Sequence, residues 1–291
     1  MGGAARRGGD GIDHELVALI AEHATAGTPC VVATVVRCEP PTSAHPGDKA
    51  VITADGRMRG WVGGSCSEPL VRSEALRALE DGLPRLVSIW PGARRSGVRA
   101  GEVAFGTSCP SGGALEIFVE PQLPRPLLAV IGASPVARAL VRLAGVAGYR
   151  TAAVHPGARR EDFPDAGMVL GTLDLSAAAP GRDCWVVVAT MGHYDEEALE
   201  AALGFPDARV ALVASARRAA AVLDRLRARG VGEATIDRVR APAGGRRAGS
   251  QAEIAVLALA EVITEREEQQ RTVREQVAAP KTAANGGCHC H

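Results

Sequence analysis

Fully apolar strands alternate with helices after residue 127, and this alternation constrains the fold more than any other feature of the sequence. LLAVIG (127–132) carries no polar side chain, and the residues from Pro135 to Ala147 fit a helix. The alternation continues with strands predicted at 150–155, 184–190 and 209–214, and with helices at 217–229 and from 251 to about 268. A strand that is apolar on both faces must be covered on both. We therefore predict an α/β fold in which residues 127–265 form a doubly wound, Rossmann-like parallel sheet.

The first part of the chain, residues 1–121, has a different pattern and is predicted to be a mixed α/β domain with cysteine-containing loops. A hairpin is expected around the Asp55-Gly56 turn. Further strands are predicted at 30–36, 85–90 and 114–121, and helices at 12–25 and 67–82. PQLPRP (121–126) has three prolines, which stiffen the chain, so residues 122–126 are predicted to be a linker. The polar residues 266–291 are predicted to be a largely disordered tail.

Composition excludes several classes of protein. Lys+Arg and Asp+Glu both number 33, so no overall charge holds the chain on nucleic acid or on an anionic membrane. No run of 18 apolar residues is present, and the glycine- and arginine-rich start lacks the apolar stretch of a secretory signal. The seven cysteines are odd in number and irregularly spaced, which does not suggest a disulfide framework. We expect a cytoplasmic protein.

The turn after residue 131 departs from the dinucleotide-binding pattern G-x-G-x-x-G. Gly132 is kept, Ser134 replaces the second glycine, and Pro135 removes one backbone donor. His155 stands where an acidic residue would hold a ribose. One interpretation is a weakened phosphate site built on Gly132 and Ser134. The other, which the pattern favours for NAD, is a Rossmann-like scaffold that binds no dinucleotide.

The segment G63-G64-S-C66-S-E68 lies between a predicted strand and a predicted helix. Paired glycines allow successive backbone N–H groups to converge on an anion, which makes Gly63 and Gly64 candidate binding residues. Cys66 lies where the helix begins, and the helix dipole there favours the thiolate. Glu68 is either a local base or an acidic residue of the first helical turn. The alternative is that Cys66 is a small buried packing residue.

A second cysteine loop, FGTSCPSGG (105–113), has the same elements as the first. Cys109 stands beside small residues and is followed by Gly112 and Gly113. Thiolates are suitable ligands for molybdenum and suitable carriers of sulfur. Two such loops can face one cleft, or this loop is a turn that happens to contain a cysteine.

The remaining candidates are weaker. Cys30, Cys38 and Cys184 lie in or beside strands and are predicted to be packing residues. The terminal Cys288-His289-Cys290-His291 has the donors for Zn²⁺, but the spacing is too short for an ordinary structural site, so no dedicated metal site is predicted. Residues 193–196 either contact a ligand at the sheet edge or begin a helix. The sequence contains no Walker loop and no HExxH motif.

Several segments together resemble the XdhC/CoxI family of accessory proteins for xanthine dehydrogenase and carbon monoxide dehydrogenase. They are PGDKAVITADGRMRGWVGGSC (46–66), TSCPSGGALEIFVEP (107–121) and VIGASPVARAL (130–140). The resemblance implies a non-catalytic maturation factor that binds the molybdenum–molybdopterin cofactor as cargo. It also implies protection of the cofactor during sulfuration and its delivery to an apo molybdenum hydroxylase. Cys66, Cys109 and the glycines beside them are the positions that carry over.

The resemblance also implies partners, and the sequence departs from the family in places. A cysteine desulfurase, the apo-hydroxylase and a second copy of the chain are the expected partners. The Rossmann turn is Gly-Ala-Ser-Pro, and GRRAGSQAE (245–253) and the CHCH tail are unusual for the family. Nucleotide binding by the second domain therefore stays open. Two competing hypotheses are an NAD(P)-dependent oxidoreductase, suggested by the Rossmann-like half, and a metal carrier, suggested by the tail.

Overall fold

A computed structural model describes residues 14–92, 101–107, 112–178, 183–245 and 250–278. The described residues fall into two compact units. The first contains residues 14–124 together with 271–278, and the second contains residues 125–270.

Within its described residues, the first unit is built on one six-stranded sheet. The strands are β1 (Cys30–Glu39), β2 (Lys49–Thr53), β3 (Met58–Gly60), β4 (Arg85–Pro91), β5 (Glu102–Thr107) and β6 (Ala114–Gln122), and the helices are α1 (His14–Ala26) and α2 (Glu68–Asp81). The order across the sheet is β3-β2-β1-β6-β4-β5, in which β4 and β5 run parallel and the other neighbours run antiparallel. The hairpin β2–β3 lies where the Asp55-Gly56 turn predicts it.

The core of this unit is made of small aliphatic side chains, since the sequence has few aromatic residues. One face of the sheet is covered by α2, whose Val71, Ala75 and Ala78 are fully buried against β1, β4 and β6. On a separate patch, Leu16 of α1 packs with Cys30 and Val51. The first turn of α2 adjoins the predicted Gly63–Glu68 site.

The second unit has six parallel strands among the residues described. The strands are β7 (Leu127–Ile131), β8 (Arg150–Val154), β9 (Met168–Leu170), β10 (Cys184–Val188), β11 (Arg209–Leu212) and β12 (Val239–Arg240), and the helices are α3 (Pro135–Val146), α4 (Asp195–Leu203), α5 (Ala216–Ala228), α6 (Glu233–Ile236) and α7 (Gln251–Ala278). The order across the sheet is β12-β11-β10-β7-β8-β9, and the helices cover both faces. The apolar strands β7 and β10 are completely buried, which confirms the predicted doubly wound, Rossmann-like fold.

The structure differs from the predictions in a few elements. The helix predicted to end near residue 268 continues to Ala278, so residues 266–278 are helical and not a disordered tail. This extension is rich in Glu, Gln and Arg, which favour helix. The Arg271 Nε lies 3.9 Å from the Glu275 Oε1 one turn further along. The short strands β5, β9 and β12 are additional to those predicted. Residues 93–100 of the predicted polar loop and the CHCH tail lie outside the described residues.

Candidate functional site

The Gly63–Ser67 turn leads directly into α2, and its shape depends on a glycine at its start. Gly63 has a φ of +128°, and a Cβ there would overlap the Ser67 Oγ and lie 3.1 Å from the Leu115 side chain. The buried Ser67 hydroxyl donates to the Gly64 carbonyl at 3.0 Å instead of capping the helix. Gly64 has open space around it. The turn is therefore closed tightly at Gly63 and open at Gly64.

Cys66 lies in this turn, two residues before α2, and is exposed. The alternative in which Cys66 is a buried packing residue is therefore wrong. An exposed thiol close to a helix N-terminus is placed to meet a soft metal or a sulfur donor from solution. Glu68 pairs with Arg72 one turn along α2. This pair favours the interpretation of Glu68 as an acidic residue of the first helical turn.

The second cysteine loop is described only in part, since residues 108–111, and with them Cys109, lie outside the described residues. Gly112 is exposed, with a φ of +67°. Gly113 packs so tightly on the loop after β1 that a Cβ would overlap the Pro41 carbonyl. Glycine is therefore required at 113 for close backbone approach.

The two glycine turns meet at the same end of the first sheet. Gly113 directly precedes β6, and Ala114 at the start of that strand pairs with Glu39 at the end of β1. A Cβ added at Gly63 would lie 3.1 Å from the side chain of Leu115, the second residue of β6. Both turns therefore adjoin the first two residues of one strand.

Cys38 is a third thiol at this end of the sheet, predicted only as a packing residue. It pairs with Leu115 across the β1–β6 ladder and is partly buried against the core of the unit. The predicted strand ends at residue 36, whereas β1 continues to Glu39 and includes Cys38. The sequence does not show the register that brings Cys38 opposite Leu115, because strand pairing depends on the folded sheet.

The other two thiols predicted to be packing residues are buried. Cys30 and Cys184 are both completely inaccessible to solvent. Burial raises the pKa of the Cys30 thiol, and it raises the pKa of Cys184 to about 12. Both stay protonated at neutral pH, which removes them from thiolate chemistry.

In the second unit, the turn after β7 is compact. Gly132 has a φ of +135°, and a Cβ there would overlap the backbone of Ala189, next to the end of β10. Ser134 caps α3 through its hydroxyl, which accepts from the Ala137 N–H at 3.1 Å. Gly132 therefore makes the tight turn and Ser134 caps the helix that follows it.

The stretch after β10 is anchored at its end by buried polar groups. Asp195, 1% exposed, accepts from the Thr190 hydroxyl and lies 3.3 Å from the Arg218 Nε. Tyr194, the residue before it, shares a hydrogen bond of 2.6 Å with the Nδ1 of His155 at the end of β8. The predicted motif at 193–196 thus begins α4, and its Tyr194 also contacts the end of β8, which β7 separates from β10 in the sheet.

Neither a metal cluster nor a membrane span is found in the part of the chain that the structure describes. No three His, Cys, Asp or Glu side chains there are grouped so that they could hold a metal ion. None of the described helices combines the length and the apolar character needed to cross a bilayer.

Comparisons with known proteins find a family model that matches each of the two units. A model of the XdhC and CoxI family matches residues 23–89, and one of the XdhC Rossmann domain matches residues 128–262. The uncharacterized protein YqeB of Escherichia coli is 33% identical over 243 residues, which cover 81% of this chain and 43% of YqeB. The chain thus spans less than half the length of this relative.

Two solved structures are similar in part. A xanthine dehydrogenase from Bacillus halodurans is 18% identical, with 91% of this chain and 98% of that chain covered and a TM-score of 0.42. Lactate dehydrogenase from Eimeria maxima is 13% identical over 35% of this chain and 40% of its own, with a TM-score of 0.27. With one family model on each unit, the chain belongs to the XdhC and CoxI family.

Proposed function

We propose that this chain is a non-catalytic maturation factor for molybdenum hydroxylases. It binds the molybdenum–molybdopterin cofactor as cargo, holds it while a terminal sulfur is installed, and delivers it to an apo-enzyme. The client is of the xanthine dehydrogenase, carbon monoxide dehydrogenase or aldehyde oxidoreductase type. Membership of the XdhC and CoxI family supports a role beside these hydroxylases.

The observation that carries the proposal is an exposed thiol, Cys66, in a glycine turn that adjoins a second glycine turn at one end of a sheet. A molybdopterin combines a phosphate with a sulfur-rich metal centre. The open backbone around Gly64 suits the phosphate, since successive N–H groups bind anions. The Cys66 thiolate suits the molybdenum, which accepts soft sulfur ligands. In this proposal Cys109, in the second loop, supplies a second thiolate.

Sulfuration requires a donor that reaches the bound cofactor. In this proposal, a cysteine desulfurase brings the sulfur to the exposed turn, where the bound cofactor would be within its reach. The chain holds the cofactor and keeps its metal accessible at the surface around Cys66. The desulfurase, the apo-hydroxylase and a second copy of the chain are the partners in this scheme.

Retention of the cofactor tests the proposal. The purified chain is mixed with the isolated cofactor, passed through a desalting column, and analysed for molybdenum and for the fluorescence of the oxidised pterin. We expect Cys66→Ala to weaken retention about tenfold, which corresponds to about 1.4 kcal/mol. Ser65→Ala, an exposed change in the same turn, is the matched control and should retain the cofactor.

The double variant Cys66→Ala, Cys109→Ala decides whether the thiols are involved at all. We expect it to lose more cofactor than either single variant. Equal retention by the double variant and the unmodified chain would remove the thiols from the mechanism.

A further inference from the structure

The second unit has a topological switch point at the carboxyl end of β7. The strand order places β8 on one side of β7 and β10 on the other. In doubly wound sheets, nucleotides bind in the crevice outside the strand ends at this point. Three stretches of this chain border that crevice: residues 132–134 after β7, His155 after β8, and residues 189–195 after β10.

Ser134 occupies the helix start where a diphosphate would bind. Its hydroxyl accepts the Ala137 N–H, and its side chain is buried. The next residue, Pro135, has no N–H to donate. An incoming phosphate would have to compete with the Ser134 hydroxyl for the Ala137 amide, and it would meet no donor at the first helical position.

The His155–Tyr194 hydrogen bond spans the end of β7. His155 follows β8 and Tyr194 follows the strand on the opposite side, so a bond of 2.6 Å between their side chains must pass across the strand end that separates them. Their ring centroids are 5.8 Å apart. His155 also stands where an acidic residue would accept the ribose hydroxyls of a dinucleotide. Two partly buried rings therefore lie where the nucleoside would bind.

Tyr194 is held in place by the buried groups around it. Its ring packs against the apolar core on the α4 side of the sheet. The residue that follows it, Asp195, is fixed by Thr190 and by Arg218, whose Nη2 donates to the Val213 carbonyl at 2.6 Å. Moving the backbone that carries the Tyr194 ring would disturb a buried carboxylate and its ion pair, which is costly.

The arginines beside the crevice are engaged in the local structure. Arg159 pairs with Glu161 at 3.1 Å, and Arg160 donates to the Ala166 and Pro164 carbonyls. Arg138 donates to the Ala133 carbonyl at 3.3 Å. A nucleotide phosphate would have to displace these contacts to gain a cation.

We infer that Ser134, His155 and Tyr194 close the switch-point crevice of the second unit to adenine dinucleotides. These side chains occupy the diphosphate and nucleoside positions; the Asp195–Arg218 pair anchors the backbone that carries Tyr194, and the hydrogen bond to His155 and the apolar packing hold its ring. The Rossmann-like unit of this chain thus has the fold of a nucleotide-binding domain, but its own side chains occupy the crevice. The inference concerns the second unit alone and goes beyond the proposed handling of molybdopterin by the first.

Isothermal titration with NAD⁺ and with ADP tests this inference on the full chain. The unmodified chain should show no saturable binding at millimolar ligand. The triple variant Ser134→Gly, His155→Asp, Tyr194→Ala restores the second glycine, supplies the ribose carboxylate and removes the ring. We expect it to bind NAD⁺ at least about tenfold more tightly than the unmodified chain. Tyr194→Phe keeps the ring and should still exclude the ligand, and so should the control His193→Ala, which changes an exposed histidine.

The titration results decide between a closed and an open crevice. Saturable binding by the unmodified chain, as tight as that of the triple variant, overturns the inference, and so does a folded triple variant that binds nothing. Circular dichroism establishes whether the triple variant folds. If it does not, the single variants Tyr194→Ala and His155→Asp replace it, and the absence of any gain in both overturns the inference. Cofactor retention should be the same in all of these variants, so failure here is distinct from failure of the proposed function.

Discussion

The two glycines of the first turn show how much a single residue's backbone decides. The sequence presents Gly63 and Gly64 as an equivalent pair that predicts an anion-binding turn. In the structure only Gly63 has a positive φ and a crowded Cβ position, while Gly64 has space for a side chain. The pair therefore divides its roles, with Gly63 shaping the turn and Gly64 leaving it open.

This difference predicts opposite outcomes for two alanine substitutions. Gly63→Ala should lower the free energy of unfolding by about 2 kcal/mol, because the new Cβ meets Ser67 and the left-handed backbone is strained. Gly64→Ala should change it by less than about 0.5 kcal/mol. Urea unfolding followed by circular dichroism measures both. Equal losses in the two variants would show that Gly63 is not what shapes the turn.

Residue-level prediction from the sequence succeeded where local chemistry is enough and failed where partners are distant. Cys30 and Cys184 were predicted to be packing residues from their place in apolar strands, and both are buried. The hydrogen bond between His155 and Tyr194 joins residues 39 positions apart. No local pattern encodes such a contact, because it depends on which strands become neighbours.

Among the elements, α2 carries a charge where its pattern predicts an apolar face. Glu74 lies on the buried side with Val71, Ala75 and Ala78, and is 1% exposed. It accepts from Arg77 at 2.6 Å and from Arg85 of β4 at 3.0 Å. The buried pair therefore ties the helix that follows the Cys66 turn to the central part of the sheet.

Removing the Glu74 carboxylate should destabilise the first unit. Glu74→Ala leaves the buried Arg85 with Asp81 as its remaining acidic partner, so we expect a loss of about 3 kcal/mol in the free energy of unfolding. Glu80→Ala, an exposed change on the same helix, is the control and should cost less than about 1 kcal/mol. Urea unfolding of the two variants makes the comparison. A loss from Glu74→Ala no larger than that from Glu80→Ala would contradict a structural role for the buried pair.

The elements that the sequence predicted best are those with long, uniform patterns. The apolar runs of β7 and β10 predicted a parallel sheet, because apolar side chains that point to both faces of a strand require cover on both faces. The strands β9 and β12 have only three and two residues. Such short strands exist through pairing with a neighbour and leave no period to detect. The last part of α7, residues 269–278, was missed for a different reason, since it is helical without an apolar stripe.

On the scale of the whole molecule, each hydrophobic cluster consists of residues from one unit. The three tryptophans divide in the same way, with Trp61 and Trp90 in the first unit and Trp185 in the second. Trp185 is 1% exposed, so its fluorescence should respond when the core around it opens. A Trp61→Phe, Trp90→Phe chain therefore reports the unfolding of the second unit alone.

Alkaline pH should weaken the second unit through its buried thiol. Burial raises the pKa of Cys184 from near 9 to about 12. Above pH 9 the unfolded chain loses this proton while the folded unit keeps it. The stabilisation is therefore complete below pH 9 and declines towards pH 12, by about 1.4 kcal/mol per pH unit. Burial also raises the pKa of Tyr149 and Tyr194, which adds to the decline at higher pH.

The Trp185 fluorescence of the Trp61→Phe, Trp90→Phe chain during urea unfolding, recorded under reducing conditions between pH 8 and pH 11, measures this decline. Adding Cys184→Val removes the titrating group and keeps an apolar side chain in β10. At pH 8 the two chains should differ only by the change in packing. Above pH 9 the free energy of unfolding should fall less steeply in the valine chain, by about 1.4 kcal/mol per pH unit, which is the contribution of one titrating group.

Equal slopes in the two chains would mean that the thiol does not govern the alkaline stability. A steeper fall in the valine chain would contradict the sign of the effect, because a group that loses its proton more readily when unfolded can only stabilise the folded state at lower pH.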